Sequence, residues 1–155
     1  MLILLQVFLF NNIHAGNVFH PYFYIIFILL MPFETPGVLL LSLSFLLGLS
    51  IDLFVGTVGM HAAACVLMAF TRPSVLKVIA PRDGYEAGTF PRVNYYGIGW
   101  FLKYTLILVF THHLALFYIE VFEFEHFFLT LSRAILSTLL TTAIIVISQF
   151  LVFRN

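Results

Sequence analysis

Asp52 and His61 are the first residues in this chain with the means to do chemistry. They interrupt the run "GLSIDLFVGTVGMHAAACVLMAF", residues 48–70, which is otherwise almost wholly apolar. A carboxylate and an imidazole nine positions apart could relay a proton or share a ligand. His112 and His113 are adjacent, and Glu120 follows seven positions after His113. A metal or haem centre needs several donors on converging faces. Neighbouring histidines on a helix diverge by about 100°, and His113 with Glu120 makes only a pair. No metal and no cofactor is therefore expected. No G-x-S-x-G elbow, H-E-x-x-H, P-loop or G-x-G-x-x-G is present. Nothing in the chain argues for catalysis, and no catalytic residue is assigned.

The elements that must carry these residues are membrane helices. The chain has 155 residues, 62% hydrophobic and 9% charged, with zero formal net charge. Soluble domains carry about 25% charged residues, so this composition belongs to an integral membrane protein. The neutral balance offers no basic face to nucleic acid. The single cysteine, Cys65, lies in an apolar run and is read as packing.

Breakers divide the chain into six apolar segments, approximately 1–13, 19–31, 38–54, 58–70, 95–118 and 127–153. They are read as six spans of one all-α transmembrane domain, 1–155. Segments two to four are short, and a re-entrant hairpin among them is the alternative. The first segment is shorter than a full span of about 20 residues, and a start upstream of Met1 would complete it. No Lys or Arg precedes Arg72, so the opening run lacks the basic region of a signal peptide. "PFETPG", 32–37, is a turn with two prolines and a glycine.

Loop charge sets the orientation. The 72–94 loop holds Arg72, Lys77, Arg82 and Arg92, and Arg154 closes the chain. The connection after segment five holds Glu120, Glu123 and Glu125 with no cation. Both termini and the 72–94 loop are expected in the cytoplasm. Tyr95, Tyr96, Trp100 and Tyr104 read as an interfacial aromatic belt, with Lys103 snorkelling to it.

Helical spacing then places the charges. Ser44, Gly48, Asp52 and Gly56 recur every four residues, three of them small, which is a stripe for close helix contact. Gly59 and Ala63 make a similar pair, and Thr130, Ala134, Thr138 and Thr142, widened by Ser137 and Thr141, make another. Asp52 thus faces protein. Its expected partners are Arg133, whose depth differs by about 6 Å at helical rise, or backbone amides at the Gly56–Gly59 turn. A cap on the next helix is the simplest alternative. Candidate partner-contact residues are His61, Arg72, Arg82 and Tyr85. The 72–94 loop is read as fixing topology and touching anionic lipid, with docking of a cytoplasmic partner as the alternative.

The stretch "LLGLSIDLFVGTVGMHAAACVLMAFTRP", 46–73, resembles the rod shape-determining protein MreD family. The matching positions are Gly48, Asp52, Gly59, His61, Ala62, Ala63, Arg72 and Pro73. "PRDGYEAGTFPRVNYYGIGWFLKYTLILVFTHHLALFYIEVF", 81–122, is similar to one version of that family. The resemblance implies a non-enzymatic component of the bacterial cell-elongation complex in the inner membrane. It implies MreC as partner, and indirectly MreB and the RodA–transpeptidase pair that builds peptidoglycan. It also implies a bundle similar to the substrate-binding subunits of energy-coupling-factor transporters. A vitamin-type transporter subunit is the competing reading. Such subunits commonly carry Ala-x-x-x-Ala in their first helix, whereas "MLILLQVFLFNN" has no small residue. An intramembrane enzyme would need Asp52, His61 or His113 to converge on one cavity.

Overall fold

The computed structural model describes Gln6 and residues 21–86, 88–121 and 127–152. Every regular element among them is helical. A 3-10 turn, Phe23–Ile25, leads into the short α1, Ile26–Leu29; then follow α2 (Gly37–Val55), α3 (Met60–Val78), α4 (Val93–Val121, kinked by non-helical backbone at Gly97) and α5 (Phe127–Val152). The helices α2, α4 and α5 are long and apolar enough to cross a membrane. The four long helices pack in chain order, α2 on α3, α3 on α4 and α4 on α5. Segment 1–13, apart from Gln6, lies outside the described residues, as do Glu123, Glu125 and Arg154.

The segment expected as a span at 19–31 is not a continuous helix in its described part. It holds only the turn at 23–25 and a single turn of α-helix, and its side chains form the core. Tyr24, Ile25, Ile28 and Leu29 are fully buried. An irregular backbone at membrane depth survives only where protein groups satisfy it. Here they do. Gln6 Oε1 accepts from the Phe23 amide at 2.8 Å, and its Nε2 donates to Pro21 O at 3.0 Å. Tyr22 N–H donates to Thr141 Oγ1 at 3.2 Å. At the other end Tyr104 donates to Leu29 O at 2.9 Å. An apolar run alone does not distinguish such an irregular buried segment from a regular helix.

The third helix also departs from expectation. Arg72-Pro73 reads as its exit, yet it runs on to Val78 with Pro73 inside. Proline removes one backbone bond and crowds the preceding turn. Side chains secure the turns beyond it. Tyr85 Oη donates to Leu76 O at 2.7 Å and Trp100 Nε1 to Ile79 O at 3.0 Å. These bonds occupy carbonyls that a helix end leaves open. The loop expected at 72–94 therefore shortens to the residues between α3 and α4.

The glycines split into two kinds. Gly48 is a contact point: a Cβ there would meet Ala62 Cα and His61 O at 2.5 Å. Gly56 and Gly59 are not, since nothing lies within 4 Å of a Cβ on either. Both have φ of +76° and form the left-handed ends of the α2–α3 corner. Their assignment to helix packing is corrected accordingly. Ala63 is likewise exposed, while Ala62, Ala64 and Cys65 face inward. On α5 the face Thr130, Ala134, Ser137, Thr138, Thr141 and Thr142 is buried throughout.

Candidate functional site

The α2–α3 corner is built around one carboxylate. Asp52 ends the buried face Ser44–Gly48–Asp52 of α2. Its backbone carbonyl accepts from the amides of Gly56 at 2.9 Å and Thr57 at 3.1 Å, which closes α2. Its side chain turns to the next helix. Oδ1 accepts from the His61 amide at 3.1 Å and Oδ2 from the Ala62 amide at 2.9 Å. Thr57 Oγ1 donates to Oδ1 at 2.5 Å, and His61 Nδ1 lies 3.0 Å from the same oxygen. A carboxylate at a helix start takes up orphan amides and suits the positive end of the helix dipole. The close approach at Gly48 makes this reach short enough.

Arg133 is not the partner of Asp52. It pairs with Glu120 at 3.5 Å and lies 4.9 Å over the Phe117 ring. Depth alone suggested the Asp52 pairing; the Glu120 carboxylate, just across the α4–α5 connection, is what Arg133 reaches. Asp52 and Arg133 share no hydrogen-bond partner, so their losses should add. Asp52→Asn should cost about 1–2 kcal/mol, because its amide NH2 would face the Ala62 N–H. Arg133→Gln should cost under about 1 kcal/mol. A double-mutant cycle by denaturation in mixed micelles should show coupling within about 0.5 kcal/mol. Coupling above about 1.5 kcal/mol would restore a direct link.

A ring of polar side chains continues inward from this corner. The Tyr22 ring lies 5.7 Å from His61, 6.1 Å from His112 and 5.4 Å from His113, centroid to centroid. The three histidines thus gather round one phenol, which their positions in the sequence do not reveal. Protein groups engage most of their ring nitrogens, while His112 Nδ1 is buried without a hydrogen-bond partner. His113 Nδ1 is 2.7 Å from Val109 O, which fixes the proton there. Its Nε2 then accepts from Thr141 Oγ1 at 3.3 Å. His112 Nε2 pairs with Tyr24 Oη at 2.9 Å, and Cys65 Sγ lies 3.8 Å away. No group of three His, Cys, Asp or Glu able to hold a metal occurs among the described residues. Tyr22 and Tyr24 are the members sequence reasoning missed; only their place in the aromatic-rich segment 19–31 hinted at them.

The other end of the bundle is organised by Arg72. It was expected in a surface loop, as a partner contact, but only 1% of it is exposed. Its Nε donates to Tyr104 Oη at 2.7 Å, Nη2 donates to Met31 O, and Nη1 lies 3.5 Å from Pro32 O. Tyr104 is therefore a buried bracket, not a member of an interfacial belt, and stacks on Trp100 at 5.1 Å. Of the remaining partner-contact candidates, His61 is buried and Tyr85 is partly covered, stacked on Phe33 at 4.3 Å. Burial raises the Tyr85 phenol above the ordinary tyrosine range. Arg82 is exposed.

Comparison with known protein families, curated proteins and solved structures returns no match to this chain.

Proposed function

We propose that this chain is a non-enzymatic scaffold of the MreD type, an inner-membrane component of the bacterial cell-elongation complex that helps organise peptidoglycan synthesis and regulate cell shape. One observation carries the reading. The residues that bear the family resemblance do construction. Gly48 admits the neighbouring helix, Asp52 and His61 close the corner, and Arg72 pins the turn at 31–32. Both oxygens of the Asp52 carboxylate are occupied by this task. A scaffold needs such rigidity, since it works by holding partners in a fixed geometry.

On this reading the chain crosses the membrane six times, counting the N-terminal segment and the buried irregular segment at 21–31, and the bundle resembles the substrate-binding subunits of energy-coupling-factor transporters. Both termini and the loop after α3 lie in the cytoplasm. MreC contacts the outer corner, and MreB and the RodA–transpeptidase pair are reached indirectly. The corner suits a partner. Leu53, Phe54 and Val55 are exposed beside it, and Val58 at its tip is 97% exposed.

Photocrosslinking groups at Val58 and at Arg82 test the two contact faces in cells. The expected result is an adduct with MreC from Val58 and with a cytoplasmic elongation protein from Arg82. Adducts with lipid alone from both positions would contradict the assignment. Leu67, in the apolar groove between α2 and α3, serves as the control position on a lipid-facing surface.

A further inference from the structure

A cleft of about 370 Å³ opens beside Arg72, lined by Phe33, Thr35, Leu40, Arg72, Lys77 and Tyr85 among others. We propose that it holds the phosphate group of an anionic phospholipid. The first ground is uncompensated charge. The ion pairs among the described residues are His61–Asp52 and Arg133–Glu120, and neither involves Arg72 or Lys77. Arg72 spends its donors on neutral oxygens: two carbonyls and a phenol. A guanidinium has five N–H groups in a planar fork. Three are engaged, and with only 1% of the residue exposed Arg72 contributes its uncompensated charge to the cleft wall, while the exposed Lys77 supplies the accessible donor. Glu34, in the adjacent turn, is exposed and does not line it.

The second ground is preorganisation. The Arg72 side chain is fixed by its three internal bonds, so no rotamer freedom is lost on binding an anion. The cleft also borders the start of α2, where Pro36 is the N-cap and no side chain caps the helix. Free amides and the positive end of the dipole there favour an oxyanion. The ring pair Phe33–Tyr85 walls the cleft on another side.

The third ground selects the source of the phosphate. The cleft lies where α2 begins and α3 ends, which is the depth of lipid headgroups if α2 spans the bilayer. Val38, Leu39 and Val78, near the lining residues Leu40 and Lys77 along the chain, are 81%, 49% and 84% exposed. An acyl chain has apolar surface to follow from a headgroup seated here, whereas free phosphate would gain nothing from it. Arg and Lys near the surface draw anionic lipid by about 1 kcal/mol each.

The chain has one tryptophan. Trp100 lies 6.2 Å from Phe33 and 5.8 Å from Tyr85, ring to ring, so its fluorescence reports on the cleft. The test titrates the full chain in maltoside micelles with dioctanoyl phosphatidylglycerol, dioctanoyl phosphatidylcholine and inorganic phosphate. The expected result is a saturable shift with phosphatidylglycerol alone. Lys77→Gln, at an exposed position that leaves the fold intact, should weaken it about fivefold. Equal response to phosphatidylcholine, no saturable response, or unchanged affinity in both Lys77→Gln and Lys77→Glu would overturn the proposal. A Lys77-dependent response to inorganic phosphate at the same concentrations would show an anion site served from solution, and would overturn the lipid assignment.

Discussion

Arg72→Ala should destabilise the folded chain by about 3 kcal/mol. The mechanism is a buried donor lost from acceptors that cannot move. Met31 O and Pro32 O sit in an irregular turn that packs against the core, and Arg72 supplies bonds to both. Met31 O, left buried without this donor, costs about 1–3 kcal/mol, whereas Pro32 O keeps its bonds from the Thr35 hydroxyl and amide. Removal of the side chain also opens space beside Tyr104, Leu76 and Leu40. Tyr104 keeps its bond to Leu29 O, so the bracket fails on one side only. Arg72→Lys should recover less than half of the loss. A lysine ammonium is a point charge and cannot serve the phenol and two carbonyls in one plane. Denaturation in mixed micelles, followed by Trp100 emission, measures both. A loss below about 1 kcal/mol for alanine would mean that the 30–33 turn holds itself.

Gly48→Val should cost about 2–4 kcal/mol, by the opposite route. Here the fault is excess volume. The added Cβ would lie 2.5 Å from Ala62 Cα and His61 O and 2.6 Å from Ala62 N. These are backbone atoms, with no rotamer to swing aside. The helices must separate, and overpacking of this kind costs about 1–3 kcal/mol. Separation also stretches the bonds from Asp52 to the His61 and Ala62 amides, which adds about 1 kcal/mol for a lost cap. Gly48→Ala should show a smaller loss in the same direction. Gly99→Ala is the control: nothing lies within 4 Å of its Cβ, it sits in a helix, and the change should be neutral or stabilising by up to about 1 kcal/mol. If Gly48→Ala matches Gly99→Ala, α2 and α3 do not meet as closely as the corner requires.

These two positions mark what the sequence makes legible. The four-residue stripe places Ser44, Gly48 and Asp52 on one buried face, because helical periodicity is local and survives any tertiary arrangement. The stripe breaks at Gly56, where the helix itself ends in a left-handed cap. Periodicity cannot foresee its own termination. A small residue at a helix end therefore reads the same whether it packs or turns. Arg72 was opaque for a different reason. Basic residues before a proline usually mark a helix exit, and the groups that draw Arg72 inward lie about forty positions away at Met31 and Pro32. The histidine cluster was hidden likewise. His112 and His113 diverge along α4, yet Tyr22 lies within about 6 Å of both, brought there by a buried segment that reads as a span. The Arg133 partner was missed because helical depth compares positions along the membrane normal and says nothing of lateral neighbours.

The role proposed for this chain is that of a scaffold for cell elongation. The most direct measurement is affinity capture of the tagged chain from its native membrane in mild detergent, followed by mass spectrometry. The expected result is co-recovery of MreC together with the RodA–transpeptidase pair, retained by wild type and lost with Gly48→Val. Co-recovery of an ATPase and a coupling membrane subunit instead would contradict it and point to a vitamin-type transporter subunit.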